Sequence, residues 1–217
     1  MNVKREFCCS DCGLLNCYRR EKDFPQACIG EKLSGKLLES VNELYRSDPF
    51  VSKISYAAAE IEGTYYGKLT RVEETIAFAR RIGVKKIGIA SCIGLVSETR
   101  TFVKILDAHQ LKSYSAICKV GAVDKTAIGI PEKLKVQPGS FEGICNPVMQ
   151  AKILNREKTD LNVIVGLCVG HDSLFIKYSK APVTTLIVKD RVLGHNPAAA
   201  LYTTGFYYKK LLKNQKL

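Results

Sequence analysis

Apolar positions along the chain follow two rhythms, and the change between them comes at Gly83. Upstream, the spacing is helical. Leu33, Leu37, Leu38, Val41 and Leu44 recur every three or four residues and predict a helix within Gly30–Ser47. A second helix is expected over Ser52–Tyr66. Thr70-Arg-Val-Glu73 then has the form of a capping box, in which hydroxyl and carboxylate each accept a backbone N–H at a helix start, and it opens a helix ending near Gly83.

Downstream, short β-branched runs alternate with helical stretches. Strands are expected at Lys86–Ala90, Lys112–Val120, Leu161–Cys168 and Val183–Lys189. Helices are expected at Ser97–Gln110, Asn146–Lys158, Asp172–Ser179 and Asn196–Lys213. Ala122–Glu142, rich in Pro, Gly and Ser, reads as a long surface loop. Strand–helix alternation with near-continuous apolar strands predicts an α/β fold: a doubly wound, mostly parallel sheet, Rossmann-like or flavodoxin-like, with helices on both faces. Three regions follow: residues 1–30, a Cys-rich segment; 31–83, helices packing on the core; and 84–217, the α/β domain.

Composition narrows the class of protein. The 217 residues are 46% hydrophobic and 25% charged, the balance of a globular chain. The longest apolar run, Leu161–Val169, is far short of a bilayer span, and the start MNVKREFCCSDCG lacks a signal-peptide core, so a cytoplasmic protein without membrane contact is expected. A net charge of +12 favours anionic partners. Nucleic acid is the less favoured of these, because no RNA-binding signature accompanies the charge.

Nine cysteines, an odd number, point away from a closed disulfide framework and toward metal sites or thiol chemistry. Cys9-x2-Cys12-x4-Cys17-x10-Cys28 places four thiols in one short segment, with Cys8 beside them. A C-x2-C pair presents both sulfurs from one tight turn, which Gly13 eases, and two further thiolates complete a set suited to zinc or an iron–sulfur cluster. The spacing matches neither a histidine-containing zinc finger nor a C-x2-C-x2-C ferredoxin run. It therefore points to metal without naming it.

The remaining cysteines, Cys92, Cys118, Cys145 and Cys168, lie at the ends of expected strands or directly before expected helices. In a doubly wound sheet the carboxyl ends of parallel strands share one edge, where ligands bind. Thiols there meet helix N-termini, whose partial positive charge favours thiolate. These four are the candidate cofactor-binding set. His171 and His195 each follow a glycine and precede Asp172 and Asn196, the expected helix caps, at the same edge. Cys168 with His171 and His195 is the candidate catalytic group, a nucleophile with acid–base neighbours. His109 reads as a solvated residue at a helix end.

The runs SDCG…C…P…C, FARRIGVKKIGIASCIGL, CKVGAVDK, ICNPVMQAKILN and TDLNVIVGLCVGHDSLFIKYSKAPVTTLIVKDRVLGHNPAAALY resemble one family over nearly the whole chain. Its members carry domain of unknown function eighteen-forty-seven, are usually labelled metal-binding proteins, and occur mainly in anaerobic bacteria and archaea. The resemblance implies that Cys9, Cys12, Cys17 and Cys28 are its N-terminal cysteines. Cys92, Cys118, Cys145, Cys168, His171 and His195 then fall in its core motifs. It supplies no reaction.

Together these readings lead to the expectation of an iron–sulfur protein, with a [4Fe-4S] cluster favoured over zinc and a strand-edge Cys/His site suited to redox or sulfur chemistry. A small thiol, an anionic substrate or an electron-transfer protein would be its partner, and a homo-oligomer is compatible. The alternatives are a zinc-stapled, non-catalytic metal- or ligand-binding module and an enzyme acting on thiolated RNA bases or thiol substrates.

Overall fold

The structure is a computed structural model, and it describes residues 6–19 and 23–214. Helices α1 (Gly35–Ser47), α2 (Pro49–Tyr65) and α3 (Arg71–Arg81) come first. Strands β1 (Lys86–Ser91), β2 (Lys112–Ile117), β3 (Leu161–Val165) and β4 (Val183–Ile187) follow. They are interleaved with α4 (Val96–Ala108), α5 (Pro147–Arg156) and α6 (His171–Tyr178), and α7 (Ala198–Tyr202) closes the series. The boundary between two compact units falls between Glu60 and Ile61, inside α2. Among the described residues, no helix is long and apolar enough to cross a membrane.

In the first unit, described residues 6–34 include no buried side chain. Ser34 divides the expected helical stretch: its Oγ accepts from Leu37 N–H at 3.2 Å and starts α1, leaving Gly30–Lys32 as a separate 3-10 turn.

The second unit is built on a four-stranded, all-parallel sheet in the order β2-β1-β3-β4. Thr70 and Glu73 form the expected capping box at the start of α3. Asn146 caps α5 by accepting from Met149 N–H at 3.0 Å, with Pro147 as first helical residue. Alternate β1 residues face opposite layers. On one face Ser91 Oγ accepts from Thr99 of α4 at 2.6 Å. On the other, the surface of Gly88 is filled by Leu154 of α5 and by Asn162, so a side chain there would overlap the Asn162 carboxamide. Helices thus cover both faces. Ile87, Ile89, Val163, Ile164, Val165 and Phe175 are buried to within 1% of completely, each contributing roughly 1.5–3 kcal/mol by leaving water.

Several elements stop earlier than periodicity suggests. β3 ends at Val165 because Gly166 turns the chain with φ +70°, and a Cβ there would collide with Leu95. β2 ends at Ile117, where Cys118 begins a turn closed by Val120 N–H to Ile117 O at 3.2 Å. Asp172 is not the cap of α6; Gly170, at φ 83°, occupies that position and Asp172 lies in the first turn. Asn196 is likewise displaced, with Pro197 at the cap of α7. The single helix expected over Asn196–Lys213 is instead α7 and a 3-10 turn at Lys209–Leu212. Thr203 and Thr204 bond back to Ala199 O and Leu201 O at 2.7 and 2.9 Å, and Gly205 follows, a sequence poor in helix propensity.

The loop over residues 122–142 carries two 3-10 turns, Lys125–Ile128 and Glu132–Leu134. Lys135 is folded inward, meeting Asp124 at 3.0 Å, Glu132 at 2.9 Å and Ser140 O at 2.9 Å. Lys125 pairs with Glu142 at 2.5 Å, and Asp124 bridges to Gly143, so the loop is cross-braced up to the residues before Cys145.

Candidate functional site

The strand order makes the carboxyl edge the place to look. From β1 the chain moves outward to β2, then returns past β1 to form β3, so connections leave β1 and β3 in opposite directions. A crevice opens at such a switch point. Cys92 follows β1 there, and its N–H donates to Val165 O, at the end of β3, at 3.2 Å. Its thiol is buried.

Cys118, the first residue after β2, is fixed on three sides. Its N–H donates to Ser91 O at 2.8 Å, its carbonyl accepts from Asn146 N–H at 2.7 Å, and its Sγ accepts from Ile93 N–H at 3.3 Å. The bond to Asn146 draws the start of α5 to the end of β2 and so brings Cys145 to Cys118. The two thiols are close enough that each is the largest influence on the other's ionisation. Cys118 favours the Cys145 thiolate, whose pKa falls to about 5; the Lys119 ammonium and the charge of His171 act in the same direction. Cys118 is pushed strongly upward, first by Cys145 and then by burial, with Cys92 adding to the effect. The two thiols of the pair are thus shifted in opposite directions.

Two further residues support this arrangement, and both lie in runs that carry the resemblance, CKVGAVDK and ICNPVMQAKILN. The Lys119 ammonium donates to Gly143 O, and its charge favours the Cys145 thiolate. Gln150, fully buried on α5, donates to Ser91 O at 3.1 Å and Ala116 O at 2.7 Å. It therefore ties α5 to the strand ends that carry Cys92 and Cys118. A glutamine on the apolar side of a helix, four residues past its cap, is the available signal for such a brace.

Cys168 lies beyond β3, and its Sγ accepts from Arg191 Nη2 at 2.9 Å. Lys189 leans over Gly94: a methyl group on Gly94 would stand 3.3 Å from Lys189 Nζ and 4.0 Å from Cys92 Sγ. His171 is the first residue of α6. His195 adopts a left-handed backbone, φ 68°, and its Nδ1 accepts from Asp190 N–H at 3.2 Å, which leaves Nε2 to carry the proton of the neutral ring. With Leu95, Glu98, Leu186–Val188, Gly194 and Pro197, His195 lines a cavity of about 510 Å³. His109 sits at the end of α4, exposed, with Arg80 donating to its carbonyl at 3.0 Å.

The N-terminal thiols are less enclosed. Cys9 and Cys17 are exposed, Cys12 and Cys28 half-buried, and Leu15 N–H donates to Cys12 Sγ at 3.5 Å. Among the described residues, no three His, Cys, Asp or Glu side chains are grouped to hold a metal ion, in this segment or at the strand edge. None of the cysteines Cys8, Cys9, Cys12, Cys17, Cys28, Cys92, Cys118, Cys145 and Cys168 is in a disulfide.

Comparison with known proteins agrees over most of the chain. No solved structure matches it. "Uncharacterized protein MJ0455" of Methanocaldococcus jannaschii is 46% identical over 207 residues, covering 95% of this chain and 99% of the relative. A family model described as "Protein of unknown function (DUF1847)" matches residues 28–186, a span that holds Cys28 and all four strand-edge cysteines but not His195. On both counts, the chain belongs to that family.

Proposed function

We propose that the carboxyl edge of the sheet is a thiol-based redox or sulfur-transfer centre, with Cys145 as attacking thiolate and Cys118 as its resolving partner. The observation that carries this reading is the Asn146 N–H bond to Cys118 O at 2.7 Å, which sets Cys145 against Cys118, whose Sγ accepts from Ile93 N–H at 3.3 Å. With a disulfide R–S–S–R, Cys145 attacks one sulfur and expels RS⁻, giving a mixed disulfide. Cys118 then gives up its proton and displaces the second RS⁻. The protein dithiol loses two electrons, the substrate gains them, and a Cys118–Cys145 disulfide is left. Dithiodipyridine tests this at pH 5, where ordinary thiols react slowly. Wild-type protein should release two equivalents of pyridinethione quickly, Cys118→Ser only one, and Cys145→Ser none in the fast phase. A fast phase unchanged by Cys145→Ser would overturn the assignment.

A separate observation supports metal binding at the N-terminus. Residues 6–34 include four cysteines in metal-ligand spacing and, where described, no buried side chain, so thiolate–metal bonds would supply the cohesion that a core does not. Cys9, Cys12, Cys17 and Cys28 would be the ligands, and their all-thiolate chemistry fits an iron–sulfur cluster or zinc. Protein prepared anaerobically should carry stoichiometric metal that Cys12→Ser removes. Iron with acid-labile sulfide identifies a cluster; zinc without colour identifies a structural staple.

A further inference from the structure

Three cations at this edge of the sheet have no carboxylate partner among the described residues. Lys119 is bonded to a carbonyl, and Arg191 to the Cys168 thiol. Lys189 Nζ stands over Gly94 beside Cys92, with no hydrogen-bond or ion-pair partner among the described residues. The carboxylates closest in sequence are engaged by their own backbone: Asp190 accepts from Val192 and Leu193 N–H at 2.9 and 2.8 Å, and Asp172 from Ser173 N–H at 2.8 Å. Cations without carboxylate partners beside strand-end thiols match a negatively charged ligand that brings its own reactive sulfur.

We infer that the crevice between β1 and β3 takes a small anionic sulfur compound, a persulfide or thiosulfonate bearing an acidic group, which Lys189 and Arg191 hold while the Cys92–Cys118–Cys145 thiols receive its sulfur. Gly94 leaves the open surface at which the anion meets Lys189, since any side chain there would occupy the space between the ammonium and Cys92. This inference rests on the thiol centre proposed above and names its substrate. For an organic persulfide the step is Cys–S⁻ + R–S–SH → Cys–S–SH + R–S⁻. The donor S–S bond breaks, a new S–S bond forms on the protein, and the leaving thiolate keeps the electron pair and takes a proton from water. No external oxidant is consumed.

Three methanethiosulfonates with the same reacting group but different charge make the test: the anionic sulfonatoethyl, the neutral methyl and the cationic trimethylammonioethyl reagents. Each forms Cys–S–S–R and releases methanesulfinate, and modification is followed by peptide mass spectrometry on the full-length protein. The anionic reagent should modify the strand-edge cysteines at least about tenfold faster than the cationic one, the scale of electrostatic focusing in a charged cleft. In Lys189→Met and in Lys189→Met/Arg191→Met that ratio should fall severalfold. A general effect of the +12 surface would survive the loss of two charges, so a large ratio unchanged in these variants overturns the inference, as does a ratio near one in the wild type. Failure of all three reagents at Cys145 strikes instead at the thiol centre itself.

Discussion

Cys145 and Cys118 are chemically identical side chains driven in opposite directions by their proximity. The first cause of the low Cys145 value is the Cys118 S–H, ahead of Lys119 and His171. Because the folded value lies below that of an ordinary thiol, near 8.5, Cys145 is already thiolate at neutral pH and is protonated only as the pH drops through about 5. Iodoacetamide should therefore alkylate Cys145 at a rate that is level from neutral pH downward and halves near pH 5. Cys118→Ala removes the donor, so the inflection should move upward toward the ordinary range while Lys119 and His171 hold it partly down. Rates measured by mass spectrometry across pH check this; an inflection near 8.5 in the wild type would contradict it. The sequence made the strand-end cysteines visible as a set, but not which two would pair. That choice depends on the Asn146 N–H reaching Cys118 O across an intervening loop, a contact without a local signature.

Among the elements, β1 and β3 leave no room for a side chain at Gly88, which lies against the Asn162 carboxamide. Asn162 is held by Thr159 Oγ1 and Ser179 Oγ, each at 2.7 Å, and cannot swing away freely. Gly88→Ala should cost about 1–3 kcal/mol, the usual range for overpacking a core. Its cost in an Asn162→Ala background should be smaller, and urea denaturation of the double-mutant cycle measures the coupling. Strict additivity would mean that the clash is relieved elsewhere. The loop before Cys145 has a different support. Lys135 is held among Asp124, Glu132 and Ser140 O, and Lys135→Met removes the cation that joins them. Faster hydrogen exchange is expected at the Val136, Gly139 and Glu142 amides, which donate to Glu142, Glu132 and Asp124 carboxylates. Unchanged exchange would show that Lys125–Glu142 and the Asp124–Gly143 bridge suffice. At this scale the sequence was most legible where a few adjacent residues complete a local hydrogen-bonding unit, as at Thr70–Glu73 and Asn146-Pro147. It was least legible where a turn conformation decided the boundary. Asp172 and Asn196 have the chemistry of caps, yet Gly170 and the His195 backbone, both at positive φ, begin their helices differently. The loop brace is also beyond periodicity, since Lys135 has the residue type of a solvated surface.

For the whole molecule, the division between Glu60 and Ile61 separates two sets of cysteines. The unit beginning at Ile61 has a buried core, and its thiols are positioned by strand ends, backbone donors and Gln150. The described residues of Cys9–Cys28 include no buried side chain, so the order of this segment would depend on what its thiolates bind. Substitutions in the two sets should consequently have separable effects on the full-length protein. Cys12→Ser, prepared anaerobically, is expected to lose bound metal while its Cys145 alkylation inflection stays near pH 5. Cys145→Ser is expected to keep its metal while losing the fast thiol. Metal and sulfide analysis beside the alkylation profile of the same samples distinguishes the cases. Loss of both properties on Cys12→Ser would contradict the independence of the two cysteine sets.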